Sequence, residues 1–207
     1  PGTYIIFFAY LTTYTLYANV SYFNPYLIDV IGIDPDASSV YSVIRSYGAM
    51  VIAPVGGIMA DKVFKSTSTW YIVAFAIAGV MWAVPFLFSS ESNVTMVCIY
   101  SILPSLVIFA LYSVTYSILR ELHIPTMVAG TAIGLGSQSG LIVDGVWPTM
   151  FGSWLDKFGN TGYTYIFTFM IAMCVAGILN ALWAKNLDKK CKSGKKALNL
   201  SGLQKNS

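Results

Sequence analysis

The stretch that most limits what this chain can become runs from Ser38 to Ser66, SSVYSVIRSYGAMVIAPVGGIMADKVFKS. Residues 38–60 form an apolar run long enough to cross a hydrocarbon core of ~30 Å as a tilted helix, which takes about 20 residues. One arginine interrupts it. At a rise of ~1.5 Å per residue, Arg45 lies roughly 10 Å inside one end. A guanidinium at that depth is costly and turns toward a polar cavity or a partner rather than lipid. At the other end Gly56 and Gly57 allow backbones to approach closely, and Asp61, Lys62 and Lys65 mark the return to water.

The rest of the chain follows the same rule. Of 207 residues 56% are hydrophobic and only 10% charged, whereas soluble domains carry about 25% charged residues. With a mean hydropathy of +0.66, this composition describes an all-α, polytopic membrane protein. Hydropathy marks six spans at roughly 4–23, 38–60, 69–88, 95–119, 127–149 and 165–184. They make a membrane domain over 1–184, followed by a Lys-rich, apolar-poor tail over 185–207 that reads as disordered. The first apolar run lacks a charged leader and a small-residue cleavage site, so it reads as a span and not as a signal peptide. The chain begins at Pro1 and reads as a fragment. Cys98 and Cys174 fall within apolar spans and Cys191 in the tail, with no CxxC or metal spacing, so the thiols read as small buried hydrophobes.

Basic residues set the orientation. Lys62, Lys65, Arg120 and the tail lysines fall on one side, while the other side holds Lys157 beside Asp29, Asp34, Asp36, Glu91 and Asp156. The basic side is expected to face the cytoplasm, placing both ends of a multi-pass cell-membrane protein inside.

Polarity varies between spans with a period of three. Span one carries Tyr10, Thr13, Tyr14, Tyr17 and Ser21 at helical spacing on one face. Span two has Tyr41 and Arg45 on a face with Gly48; span four has Ser101, Ser105, Tyr112 and Tyr116; span five has Ser137, Gln138, Gly140 and Asp144. Spans three and six are nearly featureless. The first, second, fourth and fifth spans can therefore line a cavity, with the third and sixth as lipid-facing buttresses.

The segment GIMADKVFK, Gly57 to Lys65, resembles the signature loop of major facilitator superfamily transporters, Gly-x-x-x-Asp-Arg/Lys-x-Gly-Arg/Lys-Arg/Lys. Phe64 stands where the second glycine belongs, as in the degenerate copy of the second half. ELHIPTMVAGTAIGL, Glu121 to Leu135, is similar to the turn between the fourth and fifth helices of such a half, although Ala129 replaces its usual basic residue. PTMFGSWLDKFGNTGY, Pro148 to Tyr163, is similar to the external turn before the last helix. The resemblance implies a C-terminal six-helix half built of two three-helix repeats. It further implies a secondary transporter working by alternating access with a missing N-terminal half. In that family the carboxylate at Asp61 helps hold one conformation, so Gly57, Asp61, Lys62 and Lys65 are expected to form a conformational switch loop.

The candidate solute-binding residues are Arg45, Tyr10, Tyr14, Tyr17, Tyr41, Tyr112 and Gln138. A guanidinium offers a planar fork of donors that matches a carboxylate or phosphate, so Arg45 points to a small organic anion such as a carboxylate, sugar acid or phosphate ester. Asp144 lies at about the same depth and is expected either to pair with Arg45 or to carry a coupling proton, roles that oppose each other. Packing alone also explains the tyrosines. Two Gly-x-x-x-Gly pairs, Gly130 with Gly134 and Gly136 with Gly140, offer faces for close helix packing. His123 reads as inert. No Gly-rich loop with GK[ST], H-E-x-x-H or G-x-S-x-G occurs, so neither an enzyme nor an ATP-driven pump is expected. No cofactor, metal or nucleic-acid partner is expected either; the partners are a small solute, a coupling ion and the bilayer. A self-associating six-span channel or scaffold is the other architecture open to such a sequence.

Overall fold

The computed structural model describes residues 2–88, 93–122, 124 and 126–204, with side chains outside the description at 126–128 and 194–204. Glu91, His123 and Pro125, with the sequence readings attached to them, lie outside the described residues. Every regular element among the described residues is helical, with no strand.

The helices are α1 (Gly2–Asn19), α2 (Phe23–Asp29), α3 (Pro35–Ile58), α4 (Thr67–Ala83) and α5 (Val94–Tyr100). They continue with α6 (Ile102–Tyr112), α7 (Ile118–Glu121), α8 (Thr126–Ser137), α9 (Ser139–Phe158) and α10 (Gly162–Gln204). Local chemistry fixes several starts. Asp34 accepts from the Asp36 amide, and Pro35 fills the first turn of α3. Ser66 caps α4 by accepting from Thr69 N, and Asn93 caps α5 by accepting from Met96 N. Gly32, at φ +80°, turns the chain between α2 and α3.

Four segments are long and apolar enough to cross a membrane: Pro35–Val63, Thr67–Leu87, Val94–Glu121 and Ala129–Ser193. The last is 65 residues long and folds back at the Gly159–Thr161 turn, where Trp154 and Phe158 meet Tyr165. The first helix is not among the four, because its tyrosines, threonines and Asn19 lower its hydropathy. Two boundaries also move. The link expected after 149 is helical through Phe158, and the link after 23 is helical through Asp29.

A larger difference concerns the C-terminus. The helix does not stop near 184 but continues through the segment read as a disordered tail. Ala184 and Asp188 are buried, Leu187 packs on the core, and Lys192 donates to Asp188 one turn back. Lysine, alanine and leucine are good helix formers, and docking against the bundle adds what propensity alone lacks.

α1 runs through the middle of the bundle, touching α6, α8, α9 and α10. α3 packs along α6, and α4 packs along α10. At the α4–α10 contact Phe75 lies over Gly177, and Trp82 stacks on Phe23 at 4.9 Å beside Phe167. The featureless spans thus bury one face against each other and leave Ile77, Val80, Val175 and Leu179 outward.

Candidate functional site

α1 sorts its hydroxyls to two sides. Thr12, Thr13, Thr15 and Asn19 turn inward beside Ile5, Ala9 and Leu16, and each bonds a backbone carbonyl one turn earlier. Such self-bonding satisfies a polar group in an apolar interior. Thr13, expected on the cavity face, is therefore part of the core, where it also accepts from Thr115. Tyr10, Tyr14 and Tyr17 take the other side. Tyr10 stacks on Tyr14 at 5.2 Å, Tyr14 on Tyr17 at 5.8 Å, and Tyr17 on Tyr112 of α6 at 4.3 Å. Tyr116 joins at 5.7 Å from Tyr10, and the hydroxyls of Tyr10 and Tyr112 meet at 3.5 Å. Gly140 makes room for these rings, since a Cβ there would lie 3.2 Å from the Tyr10 ring.

Asp144 sits one turn beyond Gly140 on α9, exposed, and accepts a hydrogen bond from Tyr14 at 3.1 Å. It opens onto a cavity of about 380 Å³ shared with Asn19, Ser21, Tyr22 and Pro148. The irregular turn Val20–Tyr22 after α1 forms the far wall. Next to Asp144 along α9, Trp147 donates to Thr15 at 3.0 Å and ties α9 to α1. Gln138 lies apart from the rings. It lines a mostly apolar groove of about 680 Å³ with Thr3, Tyr4, Phe7, Phe8 and Leu135.

Arg45 is not on this face. It is 3% exposed and enters the seam between α3 and the α5–α6 junction, where Nη1 donates to Ser101 Oγ at 3.2 Å. Cys98 lies within electrostatic reach of both Arg45 and Tyr41. Arg45 and Asp144 therefore form no pair: similar depth along two helices did not bring the two charges together.

The switch-loop residues gather at the opposite end from Asp29. A π-helical turn spans Met59–Val63, and Lys65 adopts a left-handed backbone at φ +52°. Asp61 pairs with Arg120 at 2.5 Å, with both side chains more than half exposed. Glu121 accepts from Ser66 Oγ at 2.6 Å and from Ser68 N at 2.8 Å, bracing the start of α4. Together with Lys65, Asp188 and Lys192 these groups line a cavity of about 560 Å³. Lys62 is exposed. Gly57 faces open space, whereas Gly56 lies directly against the Ala110 carbonyl. The same division appears on α8 and α9, where Gly136 meets Ile6 and Gly140 meets Tyr10, while Gly130 and Gly134 face open space.

Sequence reasoning used Arg120 only as a topology marker and left Glu121 and Asp188 without a role. Their signal was available: an Arg-Glu pair at the end of an apolar span, opposite a loop holding Asp and two Ser.

Fold and sites together define a class, a helical membrane protein with an aromatic polar face along its bundle and a charged cluster at one end. The chain is similar to the inner membrane protein YihN of Escherichia coli (strain K12), with 24% identity over 194 residues. That match covers 91% of this chain and 46% of the relative, so the chain spans about half the relative's length. No family model matches the chain, and no solved structure matches it.

Proposed function

We propose that the chain is the C-terminal half of a secondary active transporter of the major facilitator superfamily, moving a small polar solute by alternating access. The observation that carries this reading is the tyrosine face. Four phenol rings from α1 and α6, a fifth from the turn after α6 and a carboxylate on α9 converge on one face of the bundle. Rings supply flat apolar contact and hydroxyls supply donors and acceptors, the combination that binds a small hydroxylated solute. The relative's greater length leaves room for a second set of helices opposite this face.

In this reading there are six spans, α1–α2, α3, α4, α5–α6, α8–α9 and α10. The end carrying Lys65, Arg120 and Lys192 faces the cytoplasm, as the excess of basic residues there favours. Arg45, although off this face, favours an anionic solute: a charge that cannot shed its proton within an apolar helix needs an anion. Asp61, held by Arg120 in this conformation, is the switch carboxylate that exchanges partners as the halves rock.

The test is uptake by the full-length protein in proteoliposomes against a panel of carboxylates, sugar acids and phosphate esters. At least one is expected to accumulate or exchange, and Asp144→Asn combined with Tyr14→Phe should lower that rate at least tenfold while the protein stays monodisperse. A panel with no uptake or exchange, or rates indifferent to both substitutions, would sink the proposal.

A further inference from the structure

Among the described residues Arg45 is a buried charge with no ion-pair partner. Its Nη2 is buried and has no hydrogen-bond partner. Its other amino group is held by Ser101, whose own hydroxyl donates to the Cys98 carbonyl at 2.7 Å. Ser105 does not relieve it, because that hydroxyl donates to the Ser101 carbonyl at 3.2 Å. Nor does any carboxylate. Among the described residues Asp61 pairs with Arg120, Asp188 with Lys192, and Asp144 is engaged by Tyr14. The groups the structure places at the guanidinium, Ser101 and Cys98, are a hydroxyl and a thiol, and neither is a carboxylate.

A buried ion without a counter-charge is strongly unfavourable, because desolvation is then not offset by any attraction. Lysine or histidine would escape by losing a proton; arginine cannot. A seam that presents a fixed positive charge and a free N–H, with its neighbouring hydroxyls already committed, lacks one thing chemically: an anionic acceptor.

We propose that the seam between α3 and the α5–α6 junction is an anion subsite, with Arg45 Nη2 as its donor, that holds one small anion away from the tyrosine face. Two sources share this chemistry, an inorganic ion such as chloride and the carboxylate or phosphate group of a transported solute. Only the second rests on the transporter reading. Ser101 takes one N–H of Nη1, so the contact left open is at Nη2, whose two N–H groups suit a halide or an oxygen of a larger group.

The experiment is thermal unfolding of the purified full-length protein in detergent, at equal ionic strength, with the bulky sulfonate HEPES as reference anion. Chloride, inorganic phosphate, acetate and a phosphate monoester are then compared with it. An anion that fits should raise the unfolding midpoint by on the order of 5 °C at about 100-fold its Kd. That rise should vanish in Arg45→Gln and persist in Lys157→Gln, which removes an exposed positive charge at the end of α9. Arg45→Met, with a stem of related shape and no charge, serves if the glutamine variant does not fold. A rise with chloride alone assigns a resident inorganic ion; a rise only with acetate or the phosphate monoester assigns the solute's own group. Equal midpoints in all anions, or a rise that survives loss of the Arg45 charge, overturns the subsite. Because the readout is stability, absent transport with a persisting anion effect would defeat the transporter reading and leave the subsite standing.

Discussion

Two seams of the bundle each carry a charge from inside an apolar helix, and they are built in opposite ways. Along the first, α3 meets α5 and α6 at close range. A Cβ on Gly48 would press on Leu106, Gly56 lies against the Ala110 carbonyl, and Ser113 reaches across to donate to Ala53 O at 2.9 Å. Arg45 is buried within it. Along the second, α1 meets α9 beside a rank of stacked tyrosine rings that packs on Gly140, and Asp144 stays exposed beside a cavity. Small residues close the first seam around its charge, whereas at the second the rings fill the space beside Gly140 and leave the carboxylate at the surface. What packs beside a charge, more than its depth along the helix, decides what it experiences.

The closed seam offers the largest effect. At Gly56 a Cβ would run into backbone, which cannot swing aside as a side chain can. Gly56→Val should therefore cost ~3 kcal/mol or more, at or above the upper end of ordinary overpacking. It should appear as loss of the monodisperse peak on size exclusion and a lowered melting midpoint. Gly57→Val, one residue on and facing open space, should leave both close to wild type. Equal tolerance at the two positions would mean that α3 and α6 are not in close contact.

A middle-sized effect tests whether the two seams are separate. If Arg45 and Asp144 are not partners, Arg45→Gln and Asp144→Asn should add, with a coupling energy within ~0.5 kcal/mol in a double-mutant cycle read by thermal or denaturant unfolding. A coupling of several times that, or recovery of stability in the double variant, would rejoin the two charges and remove the contrast drawn between the seams.

The separation of these charges also shows what a single sequence can and cannot carry. Apolar run length made the helical membrane architecture legible, since a run either spans or does not. Helical spacing made Tyr10, Tyr14 and Tyr17 legible as one face, because all three lie on one helix. Thr13 shares that spacing, yet its short side chain reaches its own backbone and turns inward, a competition that periodicity does not register. Pairing between helices was least legible. Depth along a helix is a single coordinate, and Arg45 and Asp144 agree in it; which helix faces which depends on packing distributed over the bundle. The helical run past Ala184 escaped for a related reason, because composition signalled solubility while the order there comes from docking Leu187 and Asp188.

The smallest expected effect on stability lies at the charged end. Asp61 and Arg120 form a close ion pair, but their side chains are 54% and 72% exposed, and water and salt screen such pairs to ~0.2–1 kcal/mol. Asp61→Asn should therefore shift unfolding by less than about 0.5 kcal/mol and only at low ionic strength, where the ~10 Å screening length at 0.1 M salt is extended. Glu121 provides the internal contrast, since it accepts from both Ser66 Oγ and the Ser68 amide in a partly buried setting. Glu121→Ala should cost more, because it strands donors at the start of α4. If Asp61 is a switch, its substitution in the full-length protein should reduce transport well beyond its effect on either stability or solute binding. The small stabilising contribution of the pair is what allows it to break and reform during a cycle. Transport and solute binding that fall in step in Asp61→Asn would reduce the carboxylate to a surface charge marking the membrane edge.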